Sequence, residues 1–75
     1  MKIEELKNFR VKTITTATSK SILGKAYPVI DERSIYRIAE LHVIRKTQIE
    51  NIEENNGTVV VKYKDGEVVE LEVEK

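Results

Sequence analysis

Few side chains in this 75-residue chain have the chemistry of a catalytic centre. His42 is the only histidine and cysteine is absent, which excludes Cys-His pairs and thiolate metal sites. A serine nucleophile would need His42 as its base and a third group to orient the imidazole. We expect instead that His42 is a partly exposed strand or helix residue. The serines concerned are Ser19, Ser21 and Ser34.

Paired carboxylates and the segment "LGKA" are the other candidates for chemistry. Adjacent carboxylates on a surface segment point apart into water, so they do not indicate general acid-base catalysis. "LGKA" ends like a phosphate-binding loop, but Ser19 stands where that motif needs its first glycine and Ala26 where it needs Ser or Thr. We therefore predict that the protein is not an enzyme and has no catalytic residue, cofactor, metal ion or small-molecule substrate. The adjacent carboxylates are Glu4-Glu5, Asp31-Glu32 and Glu53-Glu54.

Charge is unevenly distributed along the chain although the net charge is zero. Residues 1–46 contain ten Lys/Arg and five Asp/Glu, whereas residues 47–75 contain three and eight. Either the two halves fold against each other and interleave their charges, or a basic surface meets phosphates or an acidic partner. The second interpretation predicts a nucleic-acid-binding domain in which Phe9, Tyr27 and Tyr36 could stack on bases. Its candidate contact residues are Lys2, Lys7, Arg10, Lys12, Lys20 and Lys25.

The elements that must position these residues are mainly strands. Without disulfides or a thiolate metal site, a chain this short depends on its hydrophobic core. Val and Ile occur nine times each and Leu four times, and β-branched side chains favour a pleated sheet over a helix. The apolar runs are far too short for a transmembrane helix, which needs about 20 residues. Because Glu4 and Glu5 stand where a secretory signal would be apolar, we expect a cytoplasmic protein with no membrane partner.

The first half of the chain predicts one short helix and two strands, followed by an ambiguous segment. Apolar residues three apart favour an amphipathic helix of about two turns over residues 3–9. Alternation predicts strands over 11–18 and 22–31, where Gly24 allows a bend and Pro28 suits an edge. Residues 32–42 fit either a helix with Asp31 as its N-cap or a buried strand that is apolar on both faces.

The second half predicts a short helix and a hairpin. "KTQIENIEENNG" has a capping-box pattern, with Thr47 as N-cap and Glu50 three residues later, which favours a helix over 47–54. A strand over 50–54 that turns at Asn56-Gly57 is the alternative.

In the C-terminal hairpin, a two-residue turn at Asp65-Gly66 would place valines opposite glutamates. A three-residue loop of residues 64–66 instead places Val61 opposite Val69 and Val59 opposite Leu71, with Gly66 left-handed. We therefore predict the three-residue loop.

The segment "GKAYPVIDERSIYRIAE" resembles the small Src-homology-type (SH3-like) β-barrels of short bacterial and phage proteins. In those domains a Gly-Lys-x-Tyr-x-Val strand precedes a Tyr-Arg-Ile strand. Pro28 interrupts the first strand here, and no glycine marks the turn expected after Glu40. The resemblance implies a barrel that binds protein or nucleic acid and has no catalytic residues. The matching residues are Gly24, Lys25, Tyr27, Val29, Tyr36, Arg37 and Ile38.

Together these patterns predict that residues 1–75 form a single compact domain of mainly β class. We expect a small five-strand barrel-like or curved antiparallel sheet with one or two short helices; the alternative is an α+β fold with a helix at 32–42 packed on the sheet. The function predicted first is a non-catalytic protein-interaction module or accessory subunit that can self-associate, partly because the C-terminal strand could offer an open edge for pairing. The alternative is a nucleic-acid-binding β domain that uses the basic first third.

Overall fold

The computed structural model describes residues 2–40 and 42–74. These residues form seven strands, all paired antiparallel, in one open sheet of order β4-β3-β2-β1-β7-β6-β5. Two 3₁₀ helices accompany the sheet, Ile3–Asn8 before β1 and Lys46–Gln48 between β4 and β5. The strands are β1 (Arg10–Thr15), β2 (Lys20–Asp31), β3 (Ile35–Ile38), β4 (His42–Arg45), β5 (Ile49–Asn55), β6 (Thr58–Tyr63) and β7 (Val68–Glu74).

One face of the sheet carries the hydrophobic core. Along β7 the side chains alternate strictly, with Val69, Leu71 and Val73 buried and the intervening glutamates exposed. The N-terminal 3₁₀ helix packs on this inner face, where it contacts β2 and β5 and buries Leu6 completely. The buried Tyr36 ring on β3 donates its hydroxyl hydrogen bond to the Ile3 carbonyl oxygen at 2.8 Å. The helix is thereby tied to the core by both apolar packing and a hydrogen bond.

The predicted register of the C-terminal hairpin is confirmed. Val59 pairs with Leu71 and Val61 with Val69, so the apolar partners meet on the inner face. The loop is closed by hydrogen bonds from the Tyr63 amide to the Glu67 carbonyl and from the Gly66 amide to the Tyr63 carbonyl. Gly66 has φ +92°, the left-handed conformation that the three-residue loop requires.

The helix predicted over residues 47–54 is wrong beyond its first turn. Only Lys46–Gln48 is helical, and Ile49–Asn55 forms β5, as in the alternative interpretation. The β5–β6 ladder shifts register between Ile49 and Asn51, and this bulge turns both Ile49 and Ile52 toward the core. A bulged strand therefore reproduces the three-residue spacing that suggested a helix.

The helix considered for residues 32–42 is also wrong. Ile35–Ile38 and His42–Arg45 are the two strands of a hairpin, and neither the helix nor one long buried strand describes them. Ala39 and Glu40, with φ of 54° and 61°, turn the chain without a glycine. The sequence gives no signal for this turn, because alanine and glutamate rarely adopt that conformation.

The mainly β prediction is confirmed, whereas the five-strand, barrel-like arrangement is wrong. The split of residues 35–45 and the strand at Ile49–Asn55 raise the strand number to seven, and the sheet stays open between β4 and β5. The C-terminal strand is not an open edge, since β7 pairs with β1 on one side and β6 on the other. Within the described part of the chain, no helix has the length and apolar character needed to cross a membrane.

Candidate interaction surface

The outer face of β2, β3 and β4 carries exposed aliphatic side chains in register. Ile30 pairs with Arg37, which in turn pairs with Val43, so the three side chains form one row across the sheet. Ile30 is 46% exposed and Val43 43% exposed. Two aliphatic side chains thus flank a guanidinium on a surface that faces solvent.

Ile30 also lines a groove of about 500 Å³, to which outer-face residues and the core-packed Tyr27 and Ala39 both contribute. Its apolar part comes from β2 and from the turn after β3, and its polar part from three charged side chains. We call it the Ile30 groove. Tyr27 lines it together with Pro28, Ile30, Glu32, Arg37, Ala39 and Glu40. This mixture of apolar floor and few polar groups is typical of binding sites.

An ion pair fixes the guanidinium in the Ile30 groove. The Arg37 Nε donates to Glu32 Oε2 at 2.8 Å and its Nη2 donates to Oε1 at 3.4 Å. The hydrogen bond from Arg37 lowers the pKa of the Glu32 carboxyl, and the same bond raises the pKa of Arg37. A partner that covers this pair would therefore bury a charge that already has its counter-charge.

Backbone strain lies at the end of the same groove. Ala39 and Glu40 both have positive φ, a conformation that costs non-glycine residues about 1–2 kcal/mol each. Such strain persists where the surrounding structure determines it and is common at functional sites.

A second outer surface surrounds Ile22, the most exposed large aliphatic residue in the described part of the chain at 76%. It lines a shallow groove of about 240 Å³ with Lys12, Lys25 and Glu72, and Lys12 Nζ lies 3.8 Å from Glu72 Oε1. The β1–β2 pairing is irregular here. Val11 pairs with Tyr27 and Thr13 with Ile22, so two residues along β1 correspond to five along β2. The extra length of β2 includes Gly24 at φ +85°.

The six basic residues predicted for nucleic acid contact are all exposed but do not form one cluster. Lys2 precedes the N-terminal 3₁₀ helix and Lys7 lies in its last turn, while the other four lie on β1 and β2. Lys12 and Lys25 line the same groove. Arg10 pairs in register with Glu74 and donates to the Ala26 carbonyl at 3.2 Å. Because β1 lies beside β7, the fold places carboxylates next to two of the six cations.

Of the residues considered for catalysis, Glu32 lines the Ile30 groove, whereas His42 and Ser19 line neither groove. His42 is half-buried on β4, and burial lowers the pKa of its imidazole. Ser19 is part of the turn before β2, where its amide hydrogen bonds to Thr16 Oγ1 at 3.2 Å. Among residues 2–40 and 42–74, no group of three or more histidine, aspartate or glutamate side chains could hold a metal ion.

The sequence patterns did not indicate that Ile22, Ile30 and Val43 are exposed on a candidate functional surface. Ile22 and Ile30 lie in a predicted strand and Val43 adjoins the segment left open between helix and strand, but alternation alone does not tell which apolar face of a strand is covered. The apolar pattern on both faces of residues 35–44 was the available signal, since a hairpin at the edge of a sheet has only one face to bury.

Comparison with protein-family models, with curated proteins and with solved structures finds no match for this chain. The resemblance to Src-homology-type barrels therefore stays a prediction.

Proposed function

We propose that the protein is a cytoplasmic, non-catalytic protein-interaction module or accessory subunit, and that its partner binds at the Ile30 groove. The observation that carries this proposal is the row Ile30–Arg37–Val43, in which two exposed aliphatic side chains flank an ion-paired guanidinium. Contiguous exposed apolar surface rimmed by polar residues marks interaction sites, and grooves are where ligands commonly bind.

The composition of the row suits protein recognition. Complete burial of an isoleucine or valine side chain stabilises by about 1.5–3 kcal/mol, so the half-exposed Ile30 and Val43 would each contribute about 1 kcal/mol when covered. Arginine is among the residue types enriched at binding hot spots. The groove therefore combines an apolar contact with a polar group that can fix orientation.

Affinity purification from the native host tests the proposal. The tagged wild-type chain is compared with Ile30→Lys and with Val68→Lys, a matched control because Val68 is 39% exposed on the β6–β7 hairpin, outside the groove. Wild type and Val68→Lys should recover the same bound proteins in equal amounts, and Ile30→Lys should recover at least about tenfold less of them. A loss of about 1.4 kcal/mol in binding free energy lowers the affinity tenfold. A bound protein recovered in equal amounts by all three variants would contradict the proposal.

The nucleic acid alternative is tested on the same samples. Titration with single- and double-stranded nucleic acid at low and high salt should leave the amide NMR spectrum unchanged if the groove is the functional surface. Salt-sensitive shifts at the six basic residues would favour the alternative, because phosphate contacts weaken steeply with salt.

A further inference from the structure

We infer that the partner at the Ile30 groove is a second copy of the same chain. In this arrangement a two-fold axis relates the copies, and Ile22 of each copy enters the Ile30 groove of the other. The inference rests on the proposed function and names its partner. It follows from three features of the outer face: the exposure of Ile22, the position of Ile22 next to the groove, and the charges around each surface.

Ile22 has the shape and chemistry of the inserting group. At 76% exposure it buries less of its side chain than any other large aliphatic residue in the described ranges, and it lies where β2 departs from regular pairing. A lone exposed aliphatic residue is common, but here a partly apolar groove of about 500 Å³, lined in part by the outer-face residues Pro28 and Ile30, lies nearby. An isoleucine side chain is small enough to fit that groove.

The two surfaces are neighbours on the outer face. Ile22 lies in register with Thr13 of β1 and Glu72 of β7. Pro28 lies in register with Arg10 of β1 and Glu74 of β7, which is two residues further along β7. Ile30 is two residues beyond Pro28 on β2. The four residue steps between Ile22 and Ile30, at about 3.4 Å each, place them roughly 14 Å apart.

Lys25 connects the two surfaces. It lines the groove around Ile22, and its Nζ lies 5.2 Å from the centre of the Tyr27 ring, which lines the Ile30 groove. Because Ile22 and Ile30 lie on the same face of β2, a two-fold axis between them lets each copy insert Ile22 and receive it at the same time.

The charges of the two surfaces are complementary. Lys12 and Lys25 line the groove around Ile22 together with one carboxylate, Glu72. The Ile30 groove has the opposite balance, with Glu32 and Glu40 against Arg37. A reciprocal contact therefore brings an excess of ammonium groups to an excess of carboxylates twice, and the zero net charge of the chain adds no overall repulsion between copies.

The available area fits a weak, closed dimer. A stable interface buries about 800 Å² on each partner, which would be about a sixth of the 4983 Å² surface of the described residues. The Ile22 surface and the Ile30 groove together are smaller than that, so the expected dimer is weak. Since the contact is reciprocal, assembly ends at the dimer and does not continue into a filament.

Sedimentation velocity of two complementary variants tests the inference. Ile22→Glu removes the inserting group, Ile30→Lys removes the apolar floor of the groove, and Val68→Lys is the control. Circular dichroism confirms folding, which is expected because all three side chains are exposed. We expect wild type and Val68→Lys to dimerise as the concentration rises toward about 1 mM, a range suited to a small interface, and each interface variant alone to dimerise at least tenfold more weakly.

An equimolar mixture of Ile22→Glu and Ile30→Lys gives the decisive result. The mixed dimer has one intact contact, made by Ile22 of the Ile30→Lys chain and the groove of the Ile22→Glu chain. Its other contact faces the new glutamate with the new lysine. We therefore expect the mixture to recover the wild-type dimer and no larger species.

Three results would overturn the inference. Wild type that stays monomeric throughout would exclude a second copy as the partner, and the affinity purification would then decide the proposed function independently. Loss of the dimer in Ile30→Lys but not in Ile22→Glu would keep the groove as an interface and reject Ile22 as its occupant. A mixture no more dimeric than its components would reject the reciprocal contact.

Discussion

Replacement of Glu40 by glycine should stabilise the protein, although it removes a side chain. Glu40 has φ 61°, and a non-glycine residue in this region costs about 1–2 kcal/mol. Glycine adopts the conformation freely but loses about 0.5–1 kcal/mol more chain entropy on folding. The difference predicts a net stabilisation of roughly 0.5–1 kcal/mol for Glu40→Gly. For a domain of this size the melting temperature should then rise by about 2–8 °C.

Urea unfolding followed by circular dichroism measures this effect, at a concentration of about 10 µM where a weak dimer is dissociated. Glu40→Ala keeps the backbone conformation and removes the carboxylate, so its difference from Glu40→Gly isolates the strain. Glu70→Gly, at an exposed position in β7, should instead destabilise by about 0.5–1 kcal/mol. If Glu40→Gly proved no more stable than Glu40→Ala, the turn would be unstrained and the reasoning refuted.

Three further perturbations test the fold. Gly66→Ala should destabilise the protein by about 1 kcal/mol in urea unfolding, because alanine resists the φ of +92° at this position. A new Cβ would meet no atom within 4 Å, so backbone strain is the cause. Unchanged stability would contradict the three-residue loop. Tyr36→Phe should cost about 1 kcal/mol and speed amide exchange in the N-terminal 3₁₀ helix, since it removes the hydrogen bond to the Ile3 carbonyl; uniform exchange rates would argue against that tie. Burial lowers the pKa of His42 below its usual 6.5, so the unfolded chain binds the proton more tightly than the folded protein. The free energy of unfolding should therefore fall as the pH drops from 6.5 through the lower pKa of the folded state. His42→Gln should flatten this part of the profile of urea midpoint against pH.

Strand pairing was predictable where the apolar pattern left one register. In the C-terminal hairpin a slip by one residue would place glutamates against valines, so Val61 and Val69 had to be partners and Gly66 had to be left-handed. Local chemistry and burial agreed there, and the structure follows the prediction.

Bulges and an unsignalled turn defeated prediction elsewhere. The bulge near Ile49 gives a strand the spacing of a helix, and Ala39-Glu40 makes a turn that residue preferences disfavour. Both depend on tertiary pairing, which local pattern cannot report.

The interaction surface was less predictable than the fold. Val43 and Ile30 become neighbours only through Arg37 on a third strand, and Glu32 pairs with Arg37 across a turn. The uneven charge along the sequence was visible, but its consequence was not. The β1–β7 pairing places Lys12 beside Glu72, which interleaves part of the basic third with the acidic half.

Amide NMR spectra recorded on serial dilution test the central claim most directly, that the outer face of β2–β4 is the surface through which this protein associates. Between about 1 mM and about 20 µM, where weak interfaces dissociate, we predict shifts confined to the residues around Ile22 and to those lining the Ile30 groove. Shifts confined to the β5 edge or to the outer face of the β6–β7 hairpin, or a spectrum independent of concentration, would contradict association through this face.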